Sequence, residues 1–129
     1  EKAFSVEGAS NDICRVTIRN VRAAAFCTLV RLLNQSGVKL YDILVDGVCD
    51  MVADCDKMDH GLYAVRVGDK HLYGSRHSTE EETYNITIRN VQGGGDYVLV
   101  LAGAIKNLVT ENIIAIGETS ILRDRRNEA

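Results

Sequence analysis

The sequence predicts an all-β chain, a right-handed parallel β-helix (β-solenoid) of about four coils with a ~22-residue period. Three observations lead there. Thr17-Ile18-Arg19-Asn20-Val21 recurs unchanged as Thr87-Ile88-Arg89-Asn90-Val91, 70 residues later. Both copies lie in stretches that alternate apolar and polar residues with period two, the mark of a strand with one buried face. An Asn or Asp recurs at one place in that pattern, at Asn20, Asp42, Asn90 and Asn112. Stacked in successive coils, such side chains hydrogen-bond along the axis as a ladder.

The elements follow in order. Ala3-Phe4-Ser5-Val6-Glu7-Gly8 reads as the closing strand of a coil. Val16-Thr17-Ile18-Arg19-Asn20-Val21 opens the next, and Val38-Lys39-Leu40-Tyr41-Asp42-Ile43 matches it 22 residues on. Ile86–Val91 and Leu108–Ile113 repeat the same relation, again 22 apart. A second strand follows each ladder position: Leu29–Leu32, Val65–Val67, Leu99–Ala102 and Ile121–Arg123. The 70-residue offset, which pairs Val16 with Ile86, Val30 with Val100, Val38 with Leu108 and Gly47 with Gly117, then resolves into three coils. Two polar insertions, 49–61 and 69–82, lengthen one of them. No segment keeps helical spacing over three turns as well as it keeps strand alternation.

Residues 1–129 are read as a single β-helix domain, the late coils of a longer β-helix, because the stack has little to cap its ends. The charged run from Arg123 to Glu128 is the candidate cap at one end. Packing of copies end to end, or as a homo-oligomer, is the corresponding expectation.

Bulk composition limits the function classes. The chain has 129 residues, a hydrophobic fraction of 46%, 5% aromatic residues, no Pro and no Trp. A net charge of −3 does not supply the basic face that general nucleic-acid binding needs. No apolar run approaches the ~20 residues of a membrane-spanning helix, so neither nucleic acid nor membrane is expected as a partner. Cys14, Cys27, Cys49 and Cys55 lack zinc-site spacing. They are read as small buried residues, with a Cys49–Cys55 disulfide as the alternative. Neither a metal nor a cofactor is expected. Asp54, Asp56 and Asp59 invite a calcium reading, but the spacing lacks the Gly and distal Glu of an EF-hand loop, and a solvated acidic loop suffices.

Asn85-Ile86-Thr87-Ile88-Arg89-Asn90-Val91 and Lys106-Asn107-Leu108-Val109-Thr110-Glu111-Asn112-Ile113 resemble the coils of pectin-lyase-like β-helix proteins, especially the polygalacturonase-like glycoside hydrolases. The resemblance covers residues 13–117. It implies a carbohydrate-active module that binds or cleaves an acidic polysaccharide, secreted or on a cell surface. It does not extend to the family's Asn-Thr-Asp, Asp-Asp, Gly-His-Gly and Arg-x-Lys motifs; the nearest approach is Asp59-His60-Gly61. Hydrolysis needs an acid and a base across the scissile bond, for which the candidates are His60, Asp46 and Asp50. His60, His71 and His77 fall in or beside the insertions, where rigid scaffolds place function.

Alternation also assigns directions. Arg19, Tyr41, Arg89 and Glu111 are expected in one outward column, with Thr17, Lys39, Thr87 and Val109 beside it. Arg31, Arg66, Leu101 and Arg123 are expected on the second strand. Arg forks grip carboxylates, so Arg19, Tyr41, Arg89, Arg66 and His71 are the candidate polysaccharide-binding residues. The rival reading is a non-catalytic structural or adhesive solenoid, like a segment of a phage tailspike.

Overall fold

In a computed structural model of the chain, residues 2–8, 10–24, 28–35, 37–51, 63–68 and 78–126 are described. Among them the chain is all strand, turn and loop. β1 (Lys2–Gly8), β3 (Thr28–Asn34), β5 (Tyr63–Val67), β7 (Tyr97–Leu101) and β9 (Ser120–Asp124) form one sheet in that order. β2 (Ile13–Ala23), β4 (Leu40–Asp50), β6 (Thr83–Gly93) and β8 (Lys106–Ala115) form the other. Every pairing is parallel. Each strand pairs with the one two before it, so the chain passes from sheet to sheet as it advances.

The strands of the four-stranded sheet are bent twice. Arg15, Asp42, Asn85 and Asn107 share one row, with φ between 54° and 56°. Five residues on, Asn20, Gly47, Asn90 and Asn112 share a second, with φ of 56°, 85°, 55° and 51°. Left-handed backbone is costly for most L-residues and tolerated by Gly, Asn and Asp, which explains seven of these eight identities. Nothing in the structure explains Arg15 there. At each bend two successive residues face outward before the alternation resumes. Val45 and Val48 are thus both buried, while Asp46 and Gly47 between them are partly exposed.

This double bend corrects the expected coil alignment. Val16 pairs with Ile43, 27 residues on, rather than with Val38. A 22-residue step holds only from β6 to β8, as in Ile86 and Leu108. The step from β4 to β6 takes Ile43 to Ile86. The 22-residue match at the first step had superposed the first bend of β4 on the second bend of β2. Asp42 consequently belongs with Asn85 and Asn107, and Gly47 stands where Asp42 was expected. The offset of 70 is right for Val16 and Ile86, which share a column through Ile43. Val30 lines up with Leu99 through Val65, not with Val100. Gly47 aligns with Asn90, not with Gly117.

The core lies between the sheets. Ile43, Val45, Val48, Ile86, Ile88 and Val91 face Val30, Leu32, Val65, Val67, Leu99 and Leu101, all at most 2% exposed. Each such side chain contributes about 1.5–3 kcal/mol by leaving water. Leu29 joins this core in the row of Ala64 and Val98, and Leu33 and Val100, on the opposite face of the five-stranded sheet, are buried as well. Its strands therefore read as near-continuous apolar runs, as in parallel sheets covered on both sides. Val100, not Leu101, occupies the row of Arg31, Arg66 and Arg123.

The insertions are shorter than expected at their described edges. Cys49 and Asp50 belong to β4. Ser78–Glu82 leads into β6 as a tight turn, closed by Glu82, whose carboxylate accepts from the Thr79 N–H at 2.9 Å and from the Gly37 N–H. Asn34 ties the same corner together, donating Nδ2 to the Val38 carbonyl at 2.8 Å and to Thr83 Oγ1 at 3.1 Å. Residues 52–62 and 69–77 lie outside the described residues.

Candidate functional site

The outward rows of the four-stranded sheet are the only long polar surface whose side chains are described in register. Two amide ladders run along it. Asn107 donates Nδ2 to Asn85 Oδ1 at 3.0 Å, and Asn85 donates to Asp42 Oδ1 at 3.0 Å. At the other bend Asn112 donates to Asn90 Oδ1 at 2.9 Å. Gly47 has no side chain to continue that ladder, so Asn90 reaches Asp46 Oδ1 instead, at 2.8 Å. Both ladders donate toward the start of the chain and end on a carboxylate. Hydrogen bonds aligned in this way polarise one another.

Asp46, a candidate acid or base, is the carboxylate on which this second ladder ends. It shares a row with Arg19, Arg89 and Glu111, where Tyr41 had been expected. Arg89 Nε lies 3.1 Å from Asp46 Oδ2. The Asn90 hydrogen bond, followed by Arg89 and Arg19, holds its carboxyl below the ordinary carboxylate value. A carboxyl shifted in that direction is a poor proton donor near neutral pH. Asp50, the other carboxylate candidate, turns inward at the end of β4 and is buried at 3% exposure. It is not placed to meet a polysaccharide from solvent.

Tyr41 occupies the row of Cys14, Tyr84 and Lys106. Its ring stacks on Tyr84 with centroids 4.8 Å apart and planes 12° from parallel. Each ring thereby covers a face of the other, which removes a sugar-stacking surface. The hydrogen bond with Cys14 raises the Tyr41 hydroxyl above its ordinary value. Leu44 stands in the row assigned to Lys39, beside Thr17, Thr87 and Val109. Cys14 and Cys49 are free thiols, half-buried on the outer side rather than packed in the core; the disulfide alternative does not hold for Cys49. Cys27 and Cys55 lie outside the described residues.

On the five-stranded sheet Arg31 pairs with Glu7 of β1, so a neighbouring strand supplies a counter-charge. Arg66 Nε donates to the Gly68 carbonyl at 3.0 Å, and its guanidinium lies 5.8 Å from the Tyr63 ring. These contacts anchor Arg66 against the sheet.

A groove of about 400 Å³ follows the second bend across all four strands of the sheet. Asn20, Gly47, Asn90 and Asn112 form one wall. Arg22, Cys49, Gln92 and Ile114 form the other, with Val21, Val48 and Val91 between them. Among the described residues no carboxylate lines it. Arg22 supplies its cation, and Gln92 donates Nε2 to Cys49 Sγ at 3.1 Å. Arg19 and Arg22 flank Asn20 and are both exposed, so the groove is most positive at its β2 end.

Of the candidate residues, the structure brings Arg19, Arg89 and Asp46 together and separates Tyr41, Arg66 and Asp50 from them. His60, His71 and His77, with Asp54, Asp56 and Asp59, lie outside the described residues. Among the described residues no three metal-ligating side chains cluster. Arg22, Gln92 and Tyr84 were missed. Tyr84 had a signal, since Tyr41-Asp42-Ile43 and Tyr84-Asn85-Ile86 share one pattern. Comparison with known proteins gives no matching family model, no matching curated protein and no matching solved structure.

Proposed function

We propose that the chain is a right-handed parallel β-helix of about four coils that binds an extended acidic polysaccharide along the second-bend groove without cleaving it. Right-handed winding follows from the handedness of nearly all parallel crossovers. The groove carries the reading: it runs across four strands, about 14 Å at the usual strand spacing, and has asparagines along one wall and Arg22 at one end, with the exposed Arg19 next to Asn20 outside the lining. Extended polymers suit such a linear track, amides bond sugar hydroxyls, and guanidinium forks take carboxylates. The resemblance to pectin-lyase-like coils agrees with this ligand class. Among the described residues no carboxylate lines the groove, and Asp46 is ionised and engaged, which favours binding over hydrolysis.

Calorimetric titration with polygalacturonate is the test. An exposed guanidinium–carboxylate contact contributes about 0.2–1 kcal/mol. Arg22→Ala and Arg19→Ala should therefore each weaken binding by up to about fivefold. Arg89→Ala should change it less, because that side chain is occupied by Asp46. Affinity indifferent to Arg22 and Arg19, or release of reducing ends, would refute the proposal. The second reading, a structural or adhesive solenoid, is favoured by the core residues exposed at both ends of the stack, and it predicts no glycan affinity.

A further inference from the structure

On the reading of the groove as a track for an acidic polysaccharide, we infer that Met51 is an oxidation site that controls the groove's cation. Its sulfoxide holds Arg22 against the protein and away from the ligand's carboxylates. Arg22 pairs with Cys49 across β2 and β4, and Met51 lies two residues beyond Cys49, diagonal to Arg22. Diagonal neighbours on adjacent strands are within reach of long side chains. The Met51 N–H donates to the Ala23 carbonyl at 2.8 Å, which fixes where its side chain begins. Arg22 Nε then donates to Met51 Sδ at 3.0 Å. Among the described residues Arg22 is the one cation in the groove lining, so this contact governs how the positive charge is presented.

A thioether sulfur is a weak acceptor, and in the reduced chain a ligand carboxylate displaces it from Arg22 at little cost. Met51 is 48% exposed and open to hydrogen peroxide. Attack of Sδ on the peroxide forms the S–O bond and breaks the O–O bond. Sulfur gives up two electrons, and the second oxygen leaves as water with both protons. The product is a polar sulfoxide, which methionine sulfoxide reductases return to the thioether. Its oxygen carries partial negative charge and sits one bond from a sulfur that the guanidinium already touches. A guanidinium bond to that oxygen is charge-assisted and stronger than one to a thioether. The oxidised side chain therefore competes with the ligand for the same cation. Cys49 is engaged by Gln92 instead, and dithiothreitol reverses a sulfenate or disulfide there while leaving the sulfoxide in place.

The test compares untreated chain with chain treated with peroxide and then dithiothreitol, the Met51 sulfoxide being verified by peptide mass spectrometry. The Arg22 Nε–H signal in proton–nitrogen spectra, assigned by its loss in Arg22→Ala, should shift and exchange more slowly with water after oxidation. Met51→Leu, treated in the same way, should show no such shift. In calorimetric titration with polygalacturonate, oxidation should weaken binding by up to about fivefold, the effect of removing Arg22. Met51→Gln, which offers an amide oxygen without any oxidant, should weaken it in the same direction, and the affinity of Arg22→Ala should be indifferent to oxidation. An Arg22 signal unmoved by oxidation, a shift that persists in Met51→Leu, or measurable but equal affinities of the oxidised and reduced chains would overturn the inference. The Arg22 shift without polygalacturonate affinity in either state would uphold the lock on Arg22 and overturn the polysaccharide reading alone.

Discussion

Gly68→Ala isolates how tightly the stack is wound. Gly68 has a φ of +86°, and a Cβ added there would lie 1.9 Å from the Ala102 carbonyl oxygen. The two backbones would have to separate by about 1.5 Å to reach ordinary contact. Both are held. Gly68 N–H donates to the Leu32 carbonyl at 2.8 Å, and Ala102 N–H donates to the Val67 carbonyl at 2.8 Å. Left-handed backbone at alanine costs about 1–2 kcal/mol, a broken buried hydrogen bond about 1–3 kcal/mol, and overpacking about 1–3 kcal/mol. The sum, about 3–8 kcal/mol, rivals the whole stability of a typical domain, about 5–15 kcal/mol. Gly37→Ala is the control. Its φ is +83°, and a Cβ there meets nothing within 4 Å, so only the backbone cost of about 1–2 kcal/mol remains. With a urea slope near 2 kcal/mol/M, the unfolding midpoint should fall by about 1.5–4 M for Gly68→Ala and about 0.5–1 M for Gly37→Ala. Equal falls in the two midpoints would show that the close approach at Ala102 is not a constraint.

Other expectations follow from the ladders and the core. Asn90→Asp keeps a residue that tolerates the bend but replaces the donor to Asp46 with a second carboxylate; the variant should melt below wild type at neutral pH and regain part of the loss as acid protonates it. Wild type should show the opposite trend, because Asp46 titrates lower folded than unfolded. Its stabilising contribution is complete above the unfolded value near 3.9 and is lost as pH falls through the lower folded value, so parallel melting curves for the two proteins across pH would contradict the ladder assignment. Tyr41 should ionise above the ordinary tyrosine value of about 10 in an ultraviolet titration, because its hydrogen bond with Cys14 raises it, and Cys14→Ala should bring its midpoint down. Ile86→Ala, at a fully buried site, should cost about 2–5 kcal/mol in denaturant unfolding. Ile114→Ala, at 45% exposure, should cost under about 1 kcal/mol.

The sequence displayed its repeat where one bend dominates and concealed the second. Asn20, Asn90 and Asn112 lie at one bend and were aligned correctly, because Ile-Arg-Asn-Val at the first two, and Asn112 followed by Ile113 at the third, keep the turn residue before an apolar one. Gly47 broke the pattern at that row, and Asp42, at the other bend, filled the apparent gap. Only the recurrence of a left-handed residue five places earlier, at Arg15, Asp42, Asn85 and Asn107, separates the two rows, and Arg15 hides that signal. Directions in the five-stranded sheet were off by one at β7, since a strand buried on both faces carries no alternation to read. The groove was illegible for a related reason. Its walls are residues far apart in sequence, such as Arg22 and Gln92, whose proximity depends on the very register that the shifted alignment had displaced.

The two bends per long strand separate where a side chain is displayed from how far along the polypeptide it lies. Steps as different as Val16 to Ile43, Ile43 to Ile86 and Ile86 to Leu108 all land on neighbouring positions of one column. The connecting segments absorb the whole difference in length. Lengthening a connection therefore leaves the display grid unmoved, whereas deleting one residue between the bends, from Ile43 to Asp46 for instance, turns every later side chain of that strand to the opposite face. New material can be accepted between strands and almost nowhere within them.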